Sequence, residues 1–92
     1  MTIELSSTVV RLEGLMSAEI DQDIVILGLV SNNYIALDEI GRSIWDLLEI
    51  PRTVDEMCGH LSQKYAGEVG QIQKDTLLFL AELEKEGLVR VE

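Results

Sequence analysis

A catalytic reading needs a nucleophile and a base, and this chain offers one residue of each kind, Cys58 and His60. Both fall in a segment with helical periodicity, where a separation of two residues turns side chains roughly 200° apart, so thiol and imidazole diverge. A Cys-His dyad is excluded. Cys58 lies on the apolar stripe of that segment and reads as a small buried hydrophobe, while His60 reads as a solvated helix residue. The carboxylate pairs Asp21 with Asp23 and Glu82 with Glu86 sit in a turn and on a helix, as exposed charges rather than an acid and base pair. One His and one Cys cannot close a zinc shell, and no acidic loop carries the Gly and terminal Glu of a calcium site. The seven glycines form no phosphate-cradling loop. The sequence therefore implies no catalytic residue, no metal and no cofactor.

Charge narrows the partners. Seventeen acidic residues against seven basic ones give −10 over 92 residues, which repels phosphate backbones and anionic membranes and suits a basic partner, besides keeping a small surface solvated. With 47% hydrophobic residues the chain can build one core, so residues 1–92 are expected to form a single, monomeric domain. A lone cysteine rules out an intramolecular disulfide and points to a reducing, cytoplasmic setting. No apolar run approaches roughly 18 residues, and no basic segment precedes an apolar one at the N-terminus, so neither a spanning helix nor a signal peptide is expected.

Positioning falls to a small sheet followed by helices. Residues 1 to 16 alternate weakly and read as an extended arm or irregular strand. Ser17-Ala18-Glu19-Ile20 reads as a strand, Asp21-Gln22-Asp23 as a turn, and the apolar run 24–30 as a central strand covered on both faces. Asn32-Asn33 is a turn signal, and Tyr34 to Leu37 completes a three-stranded antiparallel meander. Asp38 can cap a helix over 38–48 with Ile40, Ile44, Leu47 and Leu48 on one stripe. Pro51 breaks it. Thr53 and Glu56 have capping-box spacing for a second helix over 53–65, whose stripe is Val54, Met57, Cys58, Leu61 and Tyr65. A loop at 66–70 leads to a third helix over 71–86, closed by Gly87 in the left-handed conformation. Ile72, Thr76, Phe79, Leu80 and Leu83 share its broad face, with Leu78 on a flank beside Asp75 and Glu82.

Two functions fit this α+β inventory. Three helices plus a hairpin is a winged helix-turn-helix, a frequent DNA-binding fold, but residues 71–86 carry only Lys74 and Lys85 against Asp75, Glu82, Glu84 and Glu86. Nucleic acid is the weaker reading. The stronger one is peptide capture: the last strand is an open edge, and Asn33, Tyr34, Ile35, Ala36 and Leu37 can accept a partner strand. Main-chain bonds carry no sequence choice, so side chains in the cleft between this strand and the flank with Asp75, Leu78, Phe79 and Glu82 must supply it.

Residues in order then resemble a known family. Tyr34-x-x-Leu37-x-x-x-Gly41-x-x-Ile44-Trp45-x-Leu47-Leu48, next Pro51-Arg52-Thr53-Val54-Asp55-Glu56 and Leu61-x-x-x-Tyr65, and then Asp75-x-x-x-Phe79-Leu80-x-x-Leu83-x-x-x-Gly87-Leu88-Val89 are similar to the PqqD-like peptide-recognition elements over residues 17 to 90. The resemblance implies a noncatalytic domain that binds the leader segment of a ribosomally made precursor and hands it to a modifying enzyme. It implies a leader strand beside 33–37, packed against Asp75, Leu78, Phe79 and Glu82, with Gly41, Trp45, Phe79 and Leu83 mainly structural. The Ile44-Trp45 pairing and a free-standing domain resemble the lasso-peptide recognition protein, which works with a separate leader peptidase. The alternative within the family is the pyrroloquinoline quinone protein, which serves a radical SAM enzyme. Glu49-Ile50-Pro51 departs from the family's usual acidic residue and Gly, in a loop away from the groove.

Overall fold

The computed structural model describes residues 3–92 and is α+β; Met1 and Thr2, the start of the expected arm, lie outside the described residues. The elements run β1 (Thr8–Arg11), β2 (Ser17–Ile20), β3 (Asp23–Leu27), β4 (Tyr34–Leu37), α1 (Glu39–Leu47), β5 (Arg52–Thr53), α2 (Val54–Lys64), α3 (Val69–Glu86) and β6 (Val89–Val91). They form two antiparallel sheets, ordered β2-β3-β4 and β5-β1-β6. The meander was expected. The second sheet was not: part of the expected arm is its central strand, pairing Val9 with Val91 on one side and Arg52 on the other.

Local signals place the helices. Asp38 caps α1, its Oδ1 accepting from the Gly41 N–H at 2.9 Å, and Thr53 caps α2, its Oγ1 accepting from the Glu56 N–H at 3.2 Å. Gly87 closes α3 with φ +82, and the Leu88 N–H donates to Leu83 O at 2.9 Å. The carbonyls at the end of α1 have no basic residue in their own last turn. Arg11 from β1 donates Nε to Trp45 O at 2.9 Å and stacks 4.5 Å from the Trp45 ring centroid, and Arg52 from β5 donates to Leu47 O. Cations reach the negative end of the helix from the second sheet. Burial lowers the Arg11 pKa, partly offset by Asp46 and Glu49.

The core is built from Val9, Ile24, Ile26, Leu37, Ile44, Trp45, Leu48, Met57, Leu80, Leu83 and Leu88, among others. Four expectations need correcting. First, the apolar run ends as a strand at Leu27, because the chain turns back after Gly28, where Asn32 N–H donates to Gly28 O at 2.9 Å and a side chain would meet Glu86 O at 2.5 Å. Second, β3 is covered on one face only: Ile24 and Ile26 are buried, but Val25 and Leu27 are half-exposed. Third, α3 starts at Val69, two residues before Gln71, with Ile72 N–H donating to Glu68 O at 3.0 Å and open space beside Gly70. Ile40 also leaves the core stripe of α1, at 51% exposure.

Directly paired residues share a sheet face. The face of the meander turned from the core therefore holds the rows Met16, Leu27, Tyr34 and Ala18, Val25, Ala36, with Ile20 beyond them. Met16 belongs to the first row because Leu27 N–H donates to Met16 O at 2.9 Å.

Candidate functional site

The register of β3 against β4 decides which main-chain groups are free. Gly28 N–H donates to Asn33 O at 2.9 Å, so Gly28–Asn33 is a hydrogen-bonded pair, and antiparallel ladders alternate bonded with non-bonded pairs. Counting along the ladder, Ile26–Ile35 and Ile24–Leu37 are bonded, while Leu27–Tyr34 and Val25–Ala36 are not. The N–H and C=O groups of Tyr34 and Ala36 thus point away from β3, giving four free main-chain groups on the open edge. Asn33 differs: its carbonyl is held by Gly28 and its N–H donates to Ser31 Oγ at 3.2 Å.

Side chains along β4 alternate as the pleat demands. Tyr34 and Ala36 are exposed, Ile35 is half-buried and Leu37 is buried. Alongside runs α3, which packs closely on α2 and β6 but not on β4. The separation is pinned at both ends. At one end Val30 N–H donates to Glu86 O at 3.2 Å, and a side chain at Gly87 would meet Val30 N at 2.5 Å. At the other, Gly41 of α1 lies against Phe79, where a Cβ would come 3.2 Å from the ring.

At the Phe79 end the gap opens into a groove of about 510 Å³. Ala36 and Leu37 from β4, and Asp75 and Phe79 from α3, line it, so the structure brings four of the nine expected residues into one concavity. Leu78, 60% exposed, and the exposed Glu82 lie on α3 outside it, as do Asn33, Tyr34 and Ile35 on β4. Asp75 is exposed and accepts from Gln71 Nε2 at 2.8 Å. Sequence reasoning missed Ile40, Tyr65 and Ile72, which supply much of the apolar wall. Tyr65 is held there by its hydroxyl, 2.8 Å from Ser43 Oγ. The one available signal was an apolar Ile40 in the first turn after a capping Asp.

The groove has an apolar floor and an acidic rim: Asp38, Glu68 and Asp75 line it, with no basic residue among the lining. A free strand edge beside an apolar groove is an arrangement that can accept an extended peptide and seat its apolar side chains. Cys58 and His60 take no part. Cys58 is buried, and burial pushes its thiol pKa up, against a smaller lowering by the Thr76 side chain, while His60 is exposed. Among the described residues no group of His, Cys, Asp or Glu is arranged to hold a metal ion, and no helix is long and apolar enough to cross a membrane.

Residues 23–89 match the family described as coenzyme PQQ synthesis protein D (PqqD). The chain belongs to the PqqD family. A solved structure, TbiB1 in complex with the TbiA(beta) leader peptide, is 31% identical, with a TM-score of 0.73 over 86% of this chain and 93% of that one. No curated protein matches. The family match begins at β3 and ends within β6, so it spans the edge strand, the three helices and the whole of the groove.

Proposed function

We propose that this PqqD-family protein is a noncatalytic leader-peptide-binding domain comprising residues 1–92, which captures a ribosomal precursor peptide by strand addition to β4 and presents it to a modifying enzyme or leader peptidase. The observation that carries the reading is the outward orientation of the Tyr34 and Ala36 main-chain groups beside a groove with an apolar floor. The likeness to a structure holding a leader peptide supports it. Four main-chain bonds contribute roughly 2–6 kcal/mol net in total, against an association cost of roughly 4–15 kcal/mol. Side chains must therefore supply much of the affinity. Asn33, Tyr34, Ile35, Ala36 and Leu37 form the docking strand, and Asp75, Leu78, Phe79 and Glu82 the facing flank, with Ile40, Tyr65 and Ile72 completing the groove.

The Ile44-Trp45 pairing favours a precursor of lasso-peptide type, and the domain acts as a cytoplasmic monomer that raises the precursor's effective concentration at the enzyme. Titration of the isotopically labelled protein with the leader encoded beside its own gene tests the reading. Amide shifts are expected at Tyr34, Ala36 and along residues 71–86. Shifts confined to the β5-β1-β6 sheet would overturn it.

A further inference from the structure

Tyr65, the aromatic side of the groove, stands on backbone that has left its helix. Its N–H still donates to Leu61 O at 2.8 Å, but its own dihedral angles are extended, with φ −120 and ψ 142. Leu37, Ile40, Ile72 and Phe79, which line the groove with it, stand on strand or helix. No helical turn continues past the Tyr65 ring to fix its place. What holds it is a cluster outside the groove: Ser43 of α1 and Lys64 line neighbouring clefts and not the groove itself.

The protons of that cluster can be counted. Ser43 Oγ lies 3.1 Å from Glu39 O, 2.8 Å from the Tyr65 hydroxyl and 3.0 Å from Lys64 Nζ. A carbonyl only accepts and an ammonium only donates, so the Ser43 proton goes to Glu39 O and one Ser43 lone pair takes Lys64. The second lone pair is left for Tyr65, whose phenol is therefore the donor. All the bonds that the Ser43 hydroxyl can make are then made. The same count excludes a Ser-Lys nucleophile, because the Ser43 proton faces a carbonyl and not a base. The Lys64 ammonium also stands 5.5 Å from the Tyr65 ring centroid, close enough to be attracted to the ring face.

We infer that Ser43 is a positioning residue for leader recognition: through the Tyr65 hydroxyl it fixes the aromatic wall of the groove, and with it the apolar side chain that the groove selects. Ser43 meets no groove occupant itself. Without its bond the ring is free to turn about a backbone that no longer belongs to α2, and the groove loses a wall of defined place. Lys64 is the weaker tie, since its bond to Ser43 is exposed, whereas the Ser43–Tyr65 bond is part-buried. The inference rests on the strand-addition reading, because it concerns the leader bound there.

The test uses the full chain and the synthetic leader encoded beside its own gene, with affinity read by fluorescence anisotropy and folding checked by denaturant titration. Ser43→Ala and Tyr65→Phe remove the same bond, and the second keeps the ring. Each is expected to weaken leader binding about fivefold, and the double variant no further, because the two side chains act through one contact. Ser43→Thr keeps a hydroxyl and should stay within twofold of wild type. A merely structural loss would lower every affinity alike, whereas loss of a positioned wall lowers selectivity. Wild type and Ser43→Ala are therefore compared on two probes, the leader and the leader with Ala at the apolar position whose truncation costs wild type most. The ratio of the two affinities should fall at least threefold in the variant. Wild-type affinity in Ser43→Ala and Tyr65→Phe overturns the proposal, as does an unchanged ratio or losses that add in the double variant. If Ser43→Ala does not fold, Tyr65→Phe carries the same comparison of ratios. Failure of the leader to bind the wild-type chain would strike the strand-addition reading, and this proposal with it.

Discussion

The sheet of β5, β1 and β6 and the sheet of β2, β3 and β4 are both antiparallel and three-stranded, yet they serve opposite ends. The first is closed in: Val9 and Val89 are buried, Leu5 O and Ser7 O accept from the first amides of α2, and Arg11 and Arg52 hold the end of α1. The second keeps a core face and leaves the rest uncovered, with two open edges and apolar side chains outward. A domain this small cannot seal every strand, and the contrast shows which of its two sheets keeps open edges.

The strongest way to break the contrast is a charge in each sheet. Val9→Asp places an unpaired carboxylate at a site with no exposure and is expected to cost about 4 kcal/mol or more, enough to unfold the domain in denaturant titrations. Ala36→Asp, on the exposed face, should leave the midpoint within about 0.5 kcal/mol. Proline sharpens the comparison inside one strand. Ile35→Pro deletes an amide bonded to β3 and should lower both stability and leader affinity. Ala36→Pro deletes one that points outward, so the fold should persist while leader affinity, read by fluorescence anisotropy, falls about tenfold, the worth of one or two main-chain bonds.

A smaller effect is expected at Leu78→Ala, which should weaken leader binding about fivefold, roughly 1 kcal/mol, with stability nearly unchanged. Smallest is the response of Cys58. Its thiol pKa is raised by burial, so thiolate is scarce in the folded protein, and labelling by a thiol reagent should occur at the rate of global unfolding. The neutral thiol is favoured by folding, so its contribution is present below the ordinary thiol pKa and declines as pH rises through that range. Fast labelling of the native protein at neutral pH would show that the core around Met57 and Cys58 opens locally.

Legibility in the sequence followed the range of the interaction. Asp38, Thr53 and Gly87 act on groups three to five residues away, and their capping roles were readable from spacing. The edge strand Tyr34 to Leu37 was readable from its turn and pattern. By contrast β1 and β6 are segments of four and three residues, paired across nearly the whole chain, and neither is long enough to show a period. The start of α3 was hidden because Glu68 makes no side-chain cap bond and Gly70 argues against a helix. Of the groove, the two facing elements were readable. The contributions of Tyr65 and Ile72 were not, because they depend on where α2 stops and α3 begins.

The pairing of Val9 with Val91 also sets an order of assembly. Closing a loop of some eighty residues costs roughly 4 kcal/mol of chain entropy, and no part of that contact exists until the last strand has been synthesised. The meander and helices can gather first, leaving β1 with its apolar Val9 unpaired. On loop entropy the β1–β6 clasp is expected to form after the local elements, and a nascent chain stopped short of Val89 would carry the open β4 edge before it had the means to hold itself shut.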